Sequence, residues 1–122
     1  MNLLVDTSVW IDHFRRNSFH DLLAQGDRVV MHPGVLGELA CGTLPNRART
    51  VAALRWVFPA VAVNDEDVHY LIESRGLWGK GIGWVDAALL AAALLGKYEF
   101  WTYDKRLDAV ARQLGIPTLP RA

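Results

Sequence analysis

Short apolar segments alternate with longer helix-like segments along this chain, and this alternation limits the possible fold more than any other feature. Residues 2–6 form an apolar run that ends in an acid, and further strand-like runs are RVVMH, AVAV, EFWTY and IPTL. Helical patterns separate these runs, as in WVDAALLAAALLG over residues 84–96. Strands that alternate with helices favour a parallel sheet with both faces covered. The sequence therefore predicts an α/β fold with a central parallel sheet of four to five strands.

Polar residues mark where several helices are expected to begin. Thr7 or Ser8 is the expected N-cap of the first helix, which covers about residues 9–25 with a break near its middle. The strand AVAV, residues 60–63, is expected to end at Asn64. Asn64 then caps a helix whose first turn is acidic, as the helix dipole favours.

Composition narrows the classes of protein that the chain can represent. The chain has 122 residues, 52% of them hydrophobic, and can bury a core without support from disulfides or structural metal ions. We expect one domain over residues 1–122. Its 13 basic and 13 acidic residues balance, so a polyanion must be bound by local arginines. The single cysteine allows no internal disulfide, and the longest apolar stretch is far shorter than a bilayer span. We expect a soluble, cytoplasmic protein with no membrane partner.

Four carboxylates stand at positions that the pattern marks as special. Asp6 follows the first strand and Asp104 follows the fourth, at the sheet edge where open parallel sheets bind ligands. Glu38 lies in a short helix whose neighbouring residues are mostly apolar. Asp86 is the only ionisable residue of the helical segment 84–96, which is apolar on nearly every side, and it is therefore expected to be buried.

Each of these acids also has an ordinary structural explanation. Asp6, Asp86 and Asp104 can stabilise first helical turns through unpaired N–H groups, and Glu38 can simply face solvent. Their number favours a functional interpretation, because clustered carboxylates repel one another unless a cation joins them. Carboxylates without His or Cys partners select Mg²⁺ or Mn²⁺, and such ions serve phosphodiester hydrolysis.

Four pieces of sequence around these acids resemble the PIN-domain nucleases, specifically the VapC-like toxin ribonucleases of toxin–antitoxin pairs. In chain order they are LLVDTSVWID, GELACG, DAALLAAA and WTYDKRL. The resemblance covers essentially the whole chain. It implies a three-layer α/β/α fold, Mg²⁺- or Mn²⁺-dependent endoribonuclease activity on RNA, a homodimer, and inhibition by a cognate VapB-like antitoxin. It also implies a catalytic metal site, Asp6, Glu38, Asp86 and Asp104, and a supporting shell of hydroxyls, Thr7, Ser8 and Thr102.

The residues leave two alternatives open. Asp108 lies one helical turn after Asp104 and can share or take its role. A non-catalytic, receiver-like signalling or binding module also carries acids at strand ends. Such a module needs an acceptor Asp after its middle strand, where this chain has Asn64, and it gives Asp86 no role.

Arginines near the acids are the expected contacts for RNA. Because the net charge is zero, phosphates must be bound locally, and few phosphate contacts imply a shallow salt dependence. The candidates nearest in sequence to the acids are Arg15, Arg16 and Arg106.

Overall fold

Five short parallel strands form the centre of the protein. The computed structural model describes residues 1–24 and 28–119, and in it the strand order across the sheet is β3-β2-β1-β4-β5. All neighbouring strands are parallel, so the predicted parallel α/β sheet is confirmed. The strands are β1 (Leu3–Val5), β2 (Val29–Met31), β3 (Phe58–Pro59), β4 (Glu99–Trp101) and β5 (Thr118–Leu119).

Seven helices connect the strands in the described part of the chain and cover the sheet in a three-layer α/β/α arrangement. None of these helices is both long and apolar enough to cross a membrane. The helices are α1 (Thr7–Arg15), α2 (Phe19–Leu23), α3 (Pro33–Cys41), α4 (Arg47–Arg55), α5 (Asp65–Arg75), α6 (Trp84–Gly96) and α7 (Lys105–Gln113).

Local sequence explains where several of these elements begin and end. The three residues of β1 are fully buried, as expected for a strand covered on both faces. Asn64 caps α5, because its side-chain oxygen accepts a hydrogen bond from the Asp67 N–H at 2.8 Å. The break expected within the first helical stretch lies at Asn17, which adopts a left-handed φ of 55° between α1 and α2. The expected end of that stretch, residue 25, lies outside the described residues.

The expected third strand over residues 60–63 is wrong, because β3 lies earlier in the chain, at Phe58–Pro59. The Ala60 N–H still donates to the Met31 carbonyl at 2.9 Å and so continues the ladder by one bond. The next N–H, that of Val61, donates instead to the Tyr98 hydroxyl at 2.8 Å. A side chain thus binds the backbone just beyond the end of β3.

The strand order places a crevice between β1 and β4. β2 and β3 are added on one side of β1, whereas β4 and β5 lie on its other side. Open α/β sheets bind ligands outside the carboxyl ends of strands where the order reverses in this way. Asp6 directly follows β1 and Thr102 directly follows β4, so both lie at this point of the sheet.

Candidate active site

Two hydroxyl groups bind one carboxylate oxygen at the end of β1. Asp6 is only 6% exposed, and its Oδ2 accepts hydrogen bonds from Thr102 Oγ1 at 2.6 Å and from Ser8 Oγ at 3.0 Å. The Asp6 N–H donates to the Trp101 carbonyl at 2.9 Å, so the backbone of Asp6 is bound to the end of β4. Hydrogen bonds to a buried carboxylate offset the cost of removing it from water.

The N-cap of α1 is Asp6, and not Thr7 or Ser8 as expected. The Asp6 carbonyl accepts the first helical hydrogen bond, from the Val9 N–H at 3.1 Å, and no side chain caps this helix. Thr7 is already helical, and its hydroxyl donates to Glu38 Oε1 at 2.6 Å. Both hydroxyls are therefore bound to carboxylates, which explains why neither caps the helix.

Glu38 lies in α3, and its side chain is exposed, as the structural alternative allowed. Its bond to Thr7 nevertheless ties α3 to the start of α1. The first turn of α3 also packs closely on α6, because a Cβ added to Gly34 would lie 2.9 Å from Val85 Cγ1. This close approach brings the helix of Glu38 beside the helix of Asp86.

Asp86 is half-buried, which corrects the expectation of a buried carboxylate. It lies in the first turn of α6, where its Oδ2 accepts a hydrogen bond from the Gly83 N–H at 3.0 Å. Burial raises the pKa of the Asp86 carboxyl, and repulsion by Asp6, Asp104 and Glu38 raises it further, while the Gly83 hydrogen bond opposes the shift. Each of the other three acids is therefore close enough to Asp86 to act on its charge.

Asp104, and not Asp108, belongs to this group of acids. Asp104 is the N-cap of α7, and its Oδ1 accepts hydrogen bonds from the backbone N–H groups of Arg106 and Leu107 at 2.9 and 3.1 Å. Asp108 instead pairs with Arg112 at 2.8 Å along α7, and it is not among the charges that raise the pKa of Asp86.

Each of the four carboxylates has one oxygen bound by the protein and one oxygen without a protein donor. This holds within residues 1–24 and 28–119, where none of the four forms an ion pair with a basic side chain. In that part of the chain no three His, Cys, Asp or Glu side chains converge at metal-binding distances. The bound oxygens are Asp6 Oδ2, Glu38 Oε1, Asp86 Oδ2 and Asp104 Oδ1.

The three candidate arginines differ in their surroundings. Arg16 pairs with Asp12 at 2.8 Å on the exposed face of α1. Arg15 lines a cleft of about 250 Å³ that Glu38 also lines. Arg106 lies beside the loop that leads into α6. The structure thus places Arg15 in a cleft with one of the acids and Arg106 against the loop that leads to Asp86, and it ties Arg16 to a carboxylate outside the group.

Two backbone donors at the site were not found by sequence reasoning. The Tyr103 N–H donates to Ser8 Oγ at 3.1 Å, and the Asp104 N–H donates to Thr102 Oγ1 at 3.0 Å. These bonds orient the hydroxyls that bind Asp6. Every residue except proline has a backbone N–H, so the sequence does not show which of these groups bind a side chain. The Thr-x-Asp turn after β4 was the only available sign of these two bonds.

This arrangement of a parallel sheet with carboxylates at its carboxyl edge is that of a PIN domain, and the chain belongs to the PIN domain family, which matches residues 3–113. Two relatives from Mycobacterium tuberculosis, of strains CDC 1551 / Oshkosh and ATCC 25618 / H37Rv, are both named Ribonuclease VapC32. Each is 40% identical to this chain over 116 residues, covering 93% of this chain and 94% of the relative. The resemblance inferred from the four motifs is confirmed, and the family is not that of receiver-like modules.

Proposed function

We propose that this protein is an endoribonuclease that depends on Mg²⁺ or Mn²⁺ and acts as the toxin of a toxin–antitoxin pair. The family and the name of the two relatives support the reaction class. The observation that carries the proposal is the group of four carboxylates, each with one oxygen anchored by the protein and one without a donor. Burial first, and then the charges of the other three acids, raise the pKa of Asp86, so its ionised form is disfavoured without a cation.

The chemistry of these side chains fits a hard divalent cation, whereas their spacing does not, because no three of them converge at metal-binding distances within the described residues. Binding an ion would therefore draw the carboxylates together. All four are carboxylates, which Mg²⁺ and Mn²⁺ prefer over the ligands that select zinc or copper. The residues that would hold the ion are Asp6, Glu38, Asp86 and Asp104. When bound, the ion would supply charge neutralisation at the phosphate and activation of a water molecule.

The hydroxyls around the acids act by fixing carboxylate orientation. Thr102 and Ser8 both bind Oδ2 of Asp6, which leaves Oδ1 without a protein donor. Thr7 does the same for Glu38 by binding Oε1. Fixing a ligand before it is used removes the entropy cost of ordering it at the moment of binding.

RNA would be held by Arg15 and Arg106, the two candidate arginines that form no ion pair within the described residues. Arg15 shares a cleft with Glu38, and Arg106 follows Asp104 in α7. Arg16 was an equal candidate from the sequence, but it must first release Asp12 to bind a phosphate. Two phosphate contacts predict a shallow dependence of RNA affinity on salt.

Partners and location follow as part of the same proposal. A nuclease that acts on RNA inside its own cytoplasm requires control from outside the chain, and we propose a VapB-like antitoxin as that control. Its inhibitory segment would place an Arg or Lys among Asp6, Glu38 and Asp86, satisfying the carboxylates as a cation does. We also propose that the chain forms a single domain over residues 1–122 and assembles as a homodimer.

The test is RNA cleavage by metal-stripped protein before and after addition of Mg²⁺ or Mn²⁺. We expect cleavage only with metal, and its loss in Asp86→Asn. Asp108→Asn is the matched control, since it removes an acid of α7 that pairs with Arg112 away from the group. Cleavage by the wild type that persists in EDTA, or equal loss in both variants, would contradict the proposal.

A further inference from the structure

The side chain of Arg106 lies directly against the backbone of Gly81. A Cβ added to Gly81 would be 2.6 Å from Arg106 Cδ, 2.9 Å from a guanidinium nitrogen and 3.2 Å from Nε. A Cβ at the two shorter distances would displace the flexible end of the Arg106 side chain, so the guanidinium takes this position only because residue 81 has no side chain. The two residues are 25 positions apart, and nothing in the sequence pairs them.

Backbone conformation alone does not explain the glycine at this position. Gly81 has a left-handed φ of 79°, which favours glycine, and Gly79 in the same loop has a similar φ of 72°. A Cβ at Gly79, however, would meet nothing within 4 Å. The loop thus contains two glycines with the same backbone requirement, and only one of them also makes room for an arginine.

Two hydrogen bonds attach this loop, residues 79–83, to α6 and α7. The Gly83 N–H donates to Asp86 Oδ2 at 3.0 Å, at the start of α6. Lys80 Nζ donates to Gln113 Oε1 at 3.2 Å, at the end of the helix that carries Arg106. The surface on which Arg106 lies is therefore connected to Asp86 on one side and to α7 on the other.

The guanidinium of Arg106 is not used within the protein. Across residues 1–24 and 28–119 it forms neither an ion pair nor a side-chain hydrogen bond. Only its backbone N–H is engaged, with Asp104 at 2.9 Å. An oriented, unpaired guanidinium presents parallel N–H donors that match two oxygens of one phosphate.

We propose that Gly81 is a positioning residue which makes room for the guanidinium of Arg106 on the loop that leads to Asp86, where it binds one phosphate of the RNA chain in bidentate fashion. This inference rests on the proposed ribonuclease function and adds to it a specific phosphate contact and the loop that orients it. Holding the side chain in place before RNA binds lowers the entropy cost of the contact. Gly81 touches no substrate and acts only through Arg106.

The decisive comparison is between Gly81→Ala and Gly79→Ala. Both place an alanine at a left-handed position, so thermal unfolding should change by a similar amount in both. Only Gly81→Ala displaces Arg106. Affinity for a labelled single-stranded RNA is measured in EDTA at several salt concentrations, and KM and kcat are measured with Mn²⁺.

We expect Gly81→Ala to weaken RNA affinity about tenfold and to raise KM more than it lowers kcat. Its slope of log affinity against log salt should be shallower by about 0.7, the value for one phosphate of a single strand. Gly79→Ala should keep the wild-type slope. Arg106→Ala should reproduce the effect of Gly81→Ala, and the double variant should be no weaker than Arg106→Ala alone. Equal RNA affinities and slopes for the two glycine variants would overturn the proposal.

Two further measurements keep the test decisive. If Gly81→Ala does not fold, Arg106→Lys replaces it, and wild-type RNA affinity in that variant would refute bidentate binding. The mobility of the Arg106 Nε–H group, measured by ¹⁵N relaxation without RNA, should rise in Gly81→Ala but not in Gly79→Ala, and unchanged mobility would refute the positioning role. Absence of RNA cleavage by the wild type would overturn the ribonuclease function itself, whereas this relaxation measurement is independent of cleavage.

Discussion

Thr102 Oγ1 donates a 2.6 Å hydrogen bond to Asp6 Oδ2 and so joins the ends of β4 and β1 at the centre of the sheet. Both residues are buried, at 4% and 6% exposure. The bond has a structural effect, since it satisfies a buried carboxylate, and a functional one, since it fixes the orientation of a proposed metal ligand. These two effects can be separated experimentally.

Replacing Thr102 by Val keeps the shape of the side chain but removes both the donor to Asp6 and the acceptor of the Asp104 N–H. We expect the free energy of unfolding to fall by about 1–3 kcal/mol, because a buried acceptor loses its shorter hydrogen bond. We expect kcat for RNA cleavage to fall about 10- to 100-fold, as for other groups that orient metal ligands. Thr102→Ser retains the hydroxyl and serves as the control. Wild-type kcat in Thr102→Val would show that the bond is only structural.

Asp86→Asn should stabilise the metal-free protein at neutral pH while abolishing cleavage. The folded-state pKa of Asp86 is raised above its ordinary value of 3.8, so ionisation of this group disfavours the folded state. The stability gain of Asp86→Asn is therefore expected at pH values above the raised pKa and should vanish as the pH falls below 3.8. Urea unfolding of both proteins in EDTA across this pH range measures the difference. A variant less stable than wild type at pH 7 would contradict the assignment.

His32 should make stability depend on pH near neutrality. Its ring Nδ1 accepts a hydrogen bond from the Gly34 N–H at 2.9 Å as the N-cap of α3, and burial lowers its pKa below the ordinary 6.5. The unfolded chain therefore takes up a proton at a higher pH than the folded protein, so stability is lost as the pH falls through 6.5 toward the lower folded-state pKa. Asn can cap the helix without titrating. In His32→Asn the unfolding midpoint should therefore depend less on pH between pH 7.5 and 5.5 than in the wild type. An unchanged pH profile would refute this role.

The ion pair between Arg28 and Glu99 lies outside the group of four acids and is expected to contribute to stability alone. Glu99 is 1% exposed and accepts a hydrogen bond from the Arg28 guanidinium at 2.6 Å. Arg28→Ala should lower the free energy of unfolding by at least about 1 kcal/mol, since a buried carboxylate loses its cation. The further change Glu99→Gln should recover part of the loss. Specific activity per folded molecule should stay at the wild-type level, and a change in kcat would show that this pair is coupled to the site.

Local patterns in the sequence predicted the elements that depend on local interactions. The apolar run before Asp6 predicted β1, and Asn64 predicted the start of α5, because both signals lie within a few residues of the structure they specify. The strand was expected at residues 60–63, whereas the described ladder ends with the Ala60 N–H, and the next N–H, that of Val61, is bound by Tyr98, which lies 37 positions along the chain. Such a contact depends on the complete fold.

The candidate site shows the same division. Acids at strand ends could be predicted to approach one another, because parallel strands bring their carboxyl ends to one edge. The burial of Asp86 was overestimated, because its apolar helix is buried mainly beyond the first turn, where this residue lies. The choice of Asp104 over Asp108 also required the structure, since only the structure reveals the pairing of Asp108 with Arg112.

Calorimetric titration of Mn²⁺ into the metal-stripped protein measures whether the four carboxylates form one divalent-metal site. We expect saturable binding to the wild type and to Asp108→Asn. We expect binding weakened at least about tenfold, the lower bound for losing even a group that merely orients a ligand, in each of four variants, Asp6→Asn, Glu38→Gln, Asp86→Asn and Asp104→Asn. There is no such site if the wild type binds no Mn²⁺, or if Asp108→Asn weakens binding as much as the four variants do.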